Sequence, residues 1–265
     1  MDIGIVWDAC GWNVIGTAEQ IDLLKRHGFT HIFIDAHHPD LDNTVHAVRE
    51  AGIAVDFCHA PFDHINDMWL DGEAGDVMLG RLKSCVDSCA RLSIPTLIVH
   101  LSAGDNCPHI TDCGFTRFKA LVDHADESGV IIAFENQRKL ANIAFAFEVY
   151  PTARFCWDTG HEDCFAYGRR YMPLFGDKLV SLHIHDNDGE HNHDFHMIPF
   201  DSKVDFDRVA RSIAEVRFEG TIMLEVFRKA THFYDGMSDD EYYARAAAAA
   251  ARIRDRVVGL MDNAD

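Results

Sequence analysis

The sequence predicts an α/β fold, a single (β/α)₈ TIM barrel, and three observations carry the prediction. Eight short β-rich runs alternate with longer amphipathic segments, the pattern of a parallel sheet covered by helices. The chain has 265 residues, close to the roughly 250 that eight βα units need, so residues 1–265 are read as one domain with nothing left over for a second. Finally, four of the runs end in a carboxylate or an imidazole, and the carboxyl ends of the strands are where barrels of this kind build their active sites.

In chain order the strand runs are IGIVWD, THIFIDA, IAVDFCH, PTLIVHL, VIIAFEN, ARFCWDTG, KLVSLHIHD and GTIMLEV. Each is rich in β-branched and aromatic residues over strand length. Between them, helical periodicity predicts helices over 17–27, 41–51, 74–92, 114–128, 139–149, 162–175, 205–216 and 239–261. Glycine precedes several strands, in HGFT, AGIA, SGVI and FEGT, where it suits the turn after a helix C-terminus. The alanine tract Ala246 to Ala251 belongs to the last helix, where alanine propagates a helix and permits close packing. The longer loops, 59–73, 101–113 and 186–204, follow strands three, four and seven and are assigned to shaping a pocket or lid.

Composition narrows the function class. Hydrophobic residues at 48% and charged residues at 25% suit a globular chain with a sizeable core. A formal net charge of −19 repels a phosphate-rich polymer on average, which argues against nucleic acid as a partner. The start MDIGIVWDACGW has no basic leader, and no run is long and apolar enough for a membrane span, so a cytoplasmic protein is expected. The eight cysteines are scattered, with Cys58 and Cys156 inside strand runs, and are read as reduced thiols. Cys85 and Cys89 at i,i+4, and Cys107 and Cys113 flanking a loop, lack a partner motif for a soft metal. An acidic surface leaves oligomer formation open.

The strand-end ligands are Glu135 in IIAFEN, Asp158 in RFCWDTGH, His183 in LVSLHIHDN and Glu225 in TIMLEV. One such carboxylate would more often cap a helix, but four at successive strand ends point to a mixed oxygen and nitrogen site for one divalent ion, Mn, Co, Mg or Zn. A cation also explains clustering charge that is otherwise costly to desolvate. His59 and His100 follow strands three and four, His161 lies three residues after Asp158, and Asp194-x-His196 lies in the loop after His183. These are additional candidate ligands or substrate contacts. His185, His191 and His193 sit in a polar stretch and are expected to be solvated surface residues. Trp12, Trp69 and Phe62, on or near rim loops, can stack on a ligand ring or exclude water from a pocket; Trp7, inside strand one, is read as core. His37 and His38, at the end of strand two, can reach the mouth of the site.

Together HAPF at His59, VHLS at His100, FEN at Glu135, WDTGH at Asp158 to His161, HIHDND at His183 and LEV at Glu225 resemble the xylose isomerase-like barrel superfamily over essentially the whole chain. That superfamily includes sugar phosphate isomerases/epimerases, ketose 3-epimerases, inosose dehydratases and three-zinc apurinic endonucleases. The resemblance implies that Glu135, Asp158, His183 and Glu225 hold one divalent ion and that His161 contacts substrate oxygens. It also implies that Glu135 and Glu225 act as acid and base on opposite faces of a small carbohydrate, through a cis-enediolate stabilised by the ion.

Gly189 stands where ketose 3-epimerases usually carry a substrate-gripping arginine, which counts against that strict activity. Conversely, His59, His100, Asp158, His161, Asp194 and His196 complete the ligand types of a three-zinc cluster. Phosphodiester hydrolysis is therefore an alternative, as are inosose-type dehydration and a non-catalytic sugar-binding subunit. The expected function is a metal-dependent sugar, sugar phosphate or polyol-ketone isomerase or epimerase, with substrate choice residing in the three long loops.

Overall fold

A computed structural model describes residues 1–12 and 14–263. The chain runs β1 (Ile3–Val6), α1 (Thr17–Arg26), β2 (His31–Asp35), α2 (Leu41–Glu50), β3 (Ala54–His59), α3 (Glu73–Arg91), β4 (Thr96–His100), α4 (Asp112–Ser128), β5 (Ile131–Glu135), α5 (Leu140–Val149), β6 (Arg154–Asp158), α6 (Thr159–Phe165), α7 (Met172–Phe175), β7 (Leu179–His183), α8 (Phe206–Glu215), β8 (Ile222–Leu224) and α9 (Asp239–Asp262). Every expected strand run contains a strand. The sheet order is β7-β6-β5-β4-β3-β2-β1-β8, and all pairs are parallel. Closure between β7 and β8 rests on the bridge Ile184↔Leu224, with Ile184 N–H donating to the Met223 carbonyl (3.0 Å) and Glu225 N–H to that of Ile184 (3.1 Å). The eight-stranded parallel barrel anticipated from the alternation is therefore present.

Local chemistry explains the helix ends. Ser238 and Glu241 form a reciprocal capping box that starts α9. Gly129 (φ 71°) takes the left-handed conformation that ends α4, as the SGVI turn predicts. FEGT differs: Gly220 is not at positive φ, and Arg217 (φ 52°) makes that turn after α8 instead.

One element departs from expectation. The helix predicted over 162–175 is two short helices, α6 and α7, because Tyr167 (φ 52°) and Gly168 (φ 79°) adopt left-handed backbone between them and Pro173 opens the second. The break is pinned by Glu162, wholly buried, which accepts from Trp157 Nε1 (3.1 Å), Tyr171 N (2.8 Å) and Arg208 Nη1 (2.8 Å).

Inside the barrel, Phe33 and Phe57 stack at 4.8 Å, and Phe33 stacks on His183 at 4.9 Å, so an aromatic floor lies against the ring of His183. Fully burying each such ring contributes about 1.5–3 kcal/mol. All eight cysteines are free thiols and seven are buried, which fits packing. Trp69, expected near the rim as a stacking surface, belongs instead to the core: it lies in a 3₁₀ turn (Ile65–Trp69), packs on Phe118 and donates from Nε1 to the Leu101 carbonyl (2.5 Å). Gly114 exists for that indole, since a Cβ there would meet the Trp69 ring at 2.0 Å. Gly114→Ala should therefore destabilise by about 1–3 kcal/mol despite the better helix propensity of alanine. A thermal melt at or above wild type would contradict this packing. Among the described residues no helix is long and apolar enough to cross a membrane.

Candidate metal centre

Parallel register brings the chemistry to one level. Asp35 pairs with His59, His100 with Glu135, and Asp158 with His183, so strand-end residues of neighbouring strands lie side by side at the barrel mouth. Glu225 follows β8 directly and is held there by its backbone bond to Ile184. All four of Glu135, Asp158, His183 and Glu225 are buried.

The predicted core set converges. His183 Nδ1 lies 3.3 Å from Glu135 Oε2, 3.4 Å from Glu225 Oε2 and 4.0 Å from Asp158 Oδ2, and the donor atoms of the four residues all fall within 4.8 Å of one another. Ligands each about 2.0–2.2 Å from one ion are spaced this way. Around this set lie two further donor groups. His59 Nε2 and His100 Nε2 approach Glu135 Oε2 at 3.3 and 3.1 Å. On the other side, His161 Nε2 and His196 Nε2 face Asp194 Oδ2 at 3.2 and 3.4 Å, and His161 Nδ1 reaches Glu135 Oε1 at 2.7 Å. The i,i+3 spacing of Asp158 and His161 works as anticipated: the Asp158 side chain caps α6 by accepting from His161 N (2.6 Å), which turns the ring back into the pocket.

His185 is the main correction. Expected on the surface, it is fully buried, its Nε2 lies 3.0 Å from Asp158 Oδ1, and it joins His161, Asp194 and His196 as a donor group. Its ring stacks on His196 at 4.1 Å. The backbone past β7 stays extended through the Ile184↔Leu224 and Asp186↔Met197 bridges, so two-residue alternation turns His185 inward with His183. The signal was the H-I-H spacing itself. Space for this ring is made by Gly160, where a Cβ would meet it at 2.0 Å. His191 and His193 are partly to largely exposed, as expected.

Gln137 was not singled out by the sequence. Its Nε2 lies 3.1 Å from Glu135 Oε1 and 3.1 Å from His161 Nδ1, two residues beyond Glu135 in the same extended run. Asp8 at the end of the first strand run was also missed, because nothing in its neighbourhood repeats a ligand motif.

The electrostatics of this site are those of a cation cradle. Burial pushes the Glu135 carboxyl up, but the imidazoles of His100 and His183 outweigh it and hold the group well below the usual range. Asp194 is likewise lowered, by His196 and His161 against its burial. Glu225 goes the other way, raised well above its ordinary value by burial and by the charges of Glu135 and Asp158. His183 is lowered by burial, and neither of its buried ring nitrogens makes a hydrogen bond with good geometry among the described residues; His100 Nδ1 and His185 Nδ1 are in the same condition. Buried polar atoms are seldom left this way. The orphaned Nδ1 of His183, facing the carboxylates of Glu135, Glu225 and Asp158, fits a divalent ion, and Glu135, Asp158, His183 and Glu225 are the residues that could hold it.

Above the donors opens a cavity of about 680 Å³. All of the predicted contacts line it: His59, His100, His161, His196, Trp12 and Phe62, together with His37 and His38. Phe62 stacks on His100 at 4.6 Å and, like Trp12, is about half exposed at the mouth. Trp7 also lines the wall although it is buried. The arrangement can bind a polyhydroxylated molecule against a metal, with apolar faces beside it and carboxylates below.

A description of the xylose isomerase-like TIM barrel matches residues 21–254. The chain is 26% identical to an uncharacterized protein, y4fM, of Sinorhizobium fredii, over 96% of this chain and 93% of that one. Its fold is similar to D-psicose 3-epimerase from Clostridium cellulolyticum H10, crystallised with D-tagatose (TM-score 0.80, 14% identity, 97% and 99% of the two chains). It is also similar to an L-ribulose 3-epimerase (TM-score 0.77, 15% identity, 100% and 97% covered) and to the 3-keto-D-glucoside 4-epimerase YcjR of E. coli (TM-score 0.73, 16% identity, 96% and 99% covered). With a match spanning most of its length, this chain belongs to the xylose isomerase-like TIM barrel family.

Proposed function

We propose that this protein is a divalent-metal-dependent isomerase or epimerase of sugars or related polyol-ketones, working through a cis-enediolate. The observation that carries the reading is the pair Glu135 and Glu225. They come from different strand ends and lie 3.3 and 3.4 Å from the same His183 nitrogen, so two carboxylates converge on one point from separate sides of the barrel mouth. Two carboxylates reaching one substrate site from different strands are suited to remove a proton and return one. Solved structures of similar fold include sugar epimerases, one crystallised with D-tagatose and another studied in the presence of D-fructose, which supports a carbohydrate as substrate.

In this scheme Glu135, Asp158, His183 and Glu225 hold the ion, which when bound supplies Lewis-acid polarisation of substrate oxygens. One of Glu135 and Glu225 takes the proton from the carbon beside the carbonyl and the other delivers one to the opposite face; the reverse reaction exchanges their roles. Gln137 and His161 present hydrogen-bonding groups to substrate oxygens next to Glu135. Phe62 and Trp12 line the mouth and offer apolar faces to the substrate. The test is incorporation of solvent deuterium at the carbon next to the carbonyl when metal-loaded protein is incubated with free ketoses. Exchange is expected, and its absence across pentoses, hexoses and inososes defeats the reading.

A second reading, metal-assisted phosphodiester hydrolysis, is favoured by the two outer donor groups, His59/His100/Glu135 and His161/His185/Asp194/His196, which offer room for up to three Zn ions. Two or three tightly bound zincs with cleavage of an abasic duplex would select it.

A further inference from the structure

The cavity has a second polar pole on the arc formed by the ends of β1 and β2. Asp8 lies just past β1 with its backbone in the left-handed region (φ 62°), a conformation that costs a non-glycine residue on the order of 1 kcal/mol. A dedicated network holds it there. Asp8 N–H donates to Gln20 Oε1 (2.8 Å), Tyr243 Oη–H donates to the same oxygen (2.9 Å), and Gly11 N–H donates to the Asp8 carbonyl (2.7 Å). Tyr243 comes from the last helix and Gln20 from the first, so segments distant in the chain fix the backbone of Asp8.

That carboxylate is buried, lines the cavity and is poorly satisfied. Among the described residues its side-chain contacts are Gln20 Nε2 at 3.4 Å and His38 Nε2 at 3.5 Å, both long for hydrogen bonds, whereas a carboxylate can accept several short ones. The tautomer of His38 is set from behind: Asp40 N–H donates to Nδ1 (3.2 Å), so the neutral ring carries its proton on Nε2, directed at Asp8. Trp12 flanks His38 with ring centroids 6.2 Å apart and lines the same space. Carboxylate, imidazole N–H and indole face together are the groups that receive vicinal hydroxyls and the C–H face of a polyol.

The surrounding charge disfavours a phosphate. Asp35 lines the cavity as well as Asp8. The two arginines that line it are already engaged, Arg81 with Asp63 (3.0 and 3.1 Å) and Arg138 with Asp105 (2.9 Å) and Asn192 (2.9 Å). A phosphate ester would meet a buried carboxylate with both cations spent.

We propose that Asp8 and His38, flanked by Trp12, form the subsite that receives the hydroxyl-bearing end of the substrate, and that they select a free sugar or polyol over its phosphate ester. This rests on the sugar-binding reading above and narrows it to unphosphorylated substrates. Binding is measured by calorimetry on metal-loaded wild type, Asp8→Asn and His38→Gln, using free ketopentoses, ketohexoses and inososes and phosphate esters of the same compounds. Asparagine tolerates the left-handed backbone as aspartate does, and His38→Gln covers the case in which Asp8→Asn fails to fold.

Wild type is expected to bind a free sugar more tightly than its ester, and Asp8→Asn to weaken free-sugar binding roughly 10- to 100-fold while the ester loses less. Tighter binding of an ester, no binding of any free sugar, or variants within about twofold of wild type would overturn the proposal. Deuterium exchange in the same samples separates the two ideas. A sugar bound in an Asp8-dependent way without proton exchange leaves the subsite standing and removes the isomerase assignment.

Discussion

Glu225→Gln is expected to abolish turnover while the barrel still folds. The substitution keeps the shape of the side chain but removes an anionic donor from the Glu135/Asp158/His183/Glu225 set and a proton carrier from the Glu135–Glu225 pair. Loss of a positioned acid or base typically costs about 10²–10⁴ in rate, and loss of a metal ligand adds to that. Stability should respond differently. Without an ion, burial and the neighbouring charges of Glu135 and Asp158 already hold Glu225 toward its neutral form, so a neutral amide replaces it at little cost. The metal-free variant should melt close to metal-free wild type, but should gain less from added metal. Deuterium exchange at the substrate carbon within about tenfold of wild type would sink the assignment of Glu225 as acid or base.

Removing divalent ions with a chelator is expected to abolish exchange and to lower the melting temperature, both restored by Mn²⁺ or Co²⁺. The structure gives the reason: Glu135, Asp158 and Asp194 are held below the usual carboxylate range in a buried pocket, and those carboxylates raise the proton affinities of His59, His161 and His196 against burial, so the cluster draws positive charge. An ion present at about 1,000 times its dissociation constant adds about 4 kcal/mol. For a chain of this size that corresponds to a shift on the order of 10 °C. His196→Ala then reports how many ions matter. His196 belongs to the outer donor group, so a single-ion site should keep about one metal per chain by elemental mass spectrometry, whereas a cluster should lose metal. Unaltered activity and melting after exhaustive chelation would remove the metal from the mechanism.

Much of this was legible in the sequence because the two strongest patterns are local. Alternation of strand and helix runs sets the fold class, and strand-end position sets which face a side chain reaches, so Glu135, Asp158, His183 and Glu225 could be named without coordinates. His59, His100, His161, Asp194 and His196 followed from motifs of the same kind. What the sequence hid were features set by partners far away in the chain. His185 reads as a loop residue until the Ile184↔Leu224 bridge extends the strand beneath it, and Trp69 reads as a rim aromatic until α4 is seen to leave a glycine for its ring. The break between α6 and α7 depends on Glu162 gathering donors from Trp157, Tyr171 and Arg208.

Asp8 shows the same division most sharply. Its residue type and its place at the end of a strand run are in the sequence, but its left-handed backbone, its support by Gln20 and Tyr243 and its approach to His38 arise only when α1 and α9 pack beside β1. By itself, then, the sequence determined the barrel and the identity of the metal-ligand candidates, because periodicity and strand-end position are short-range properties of the chain. The tertiary structure alone decided which histidines turn inward, how Glu135 and Glu225 differ in proton affinity and where a second polar pole faces the cavity, because burial and charge proximity depend on groups brought together from across the whole chain.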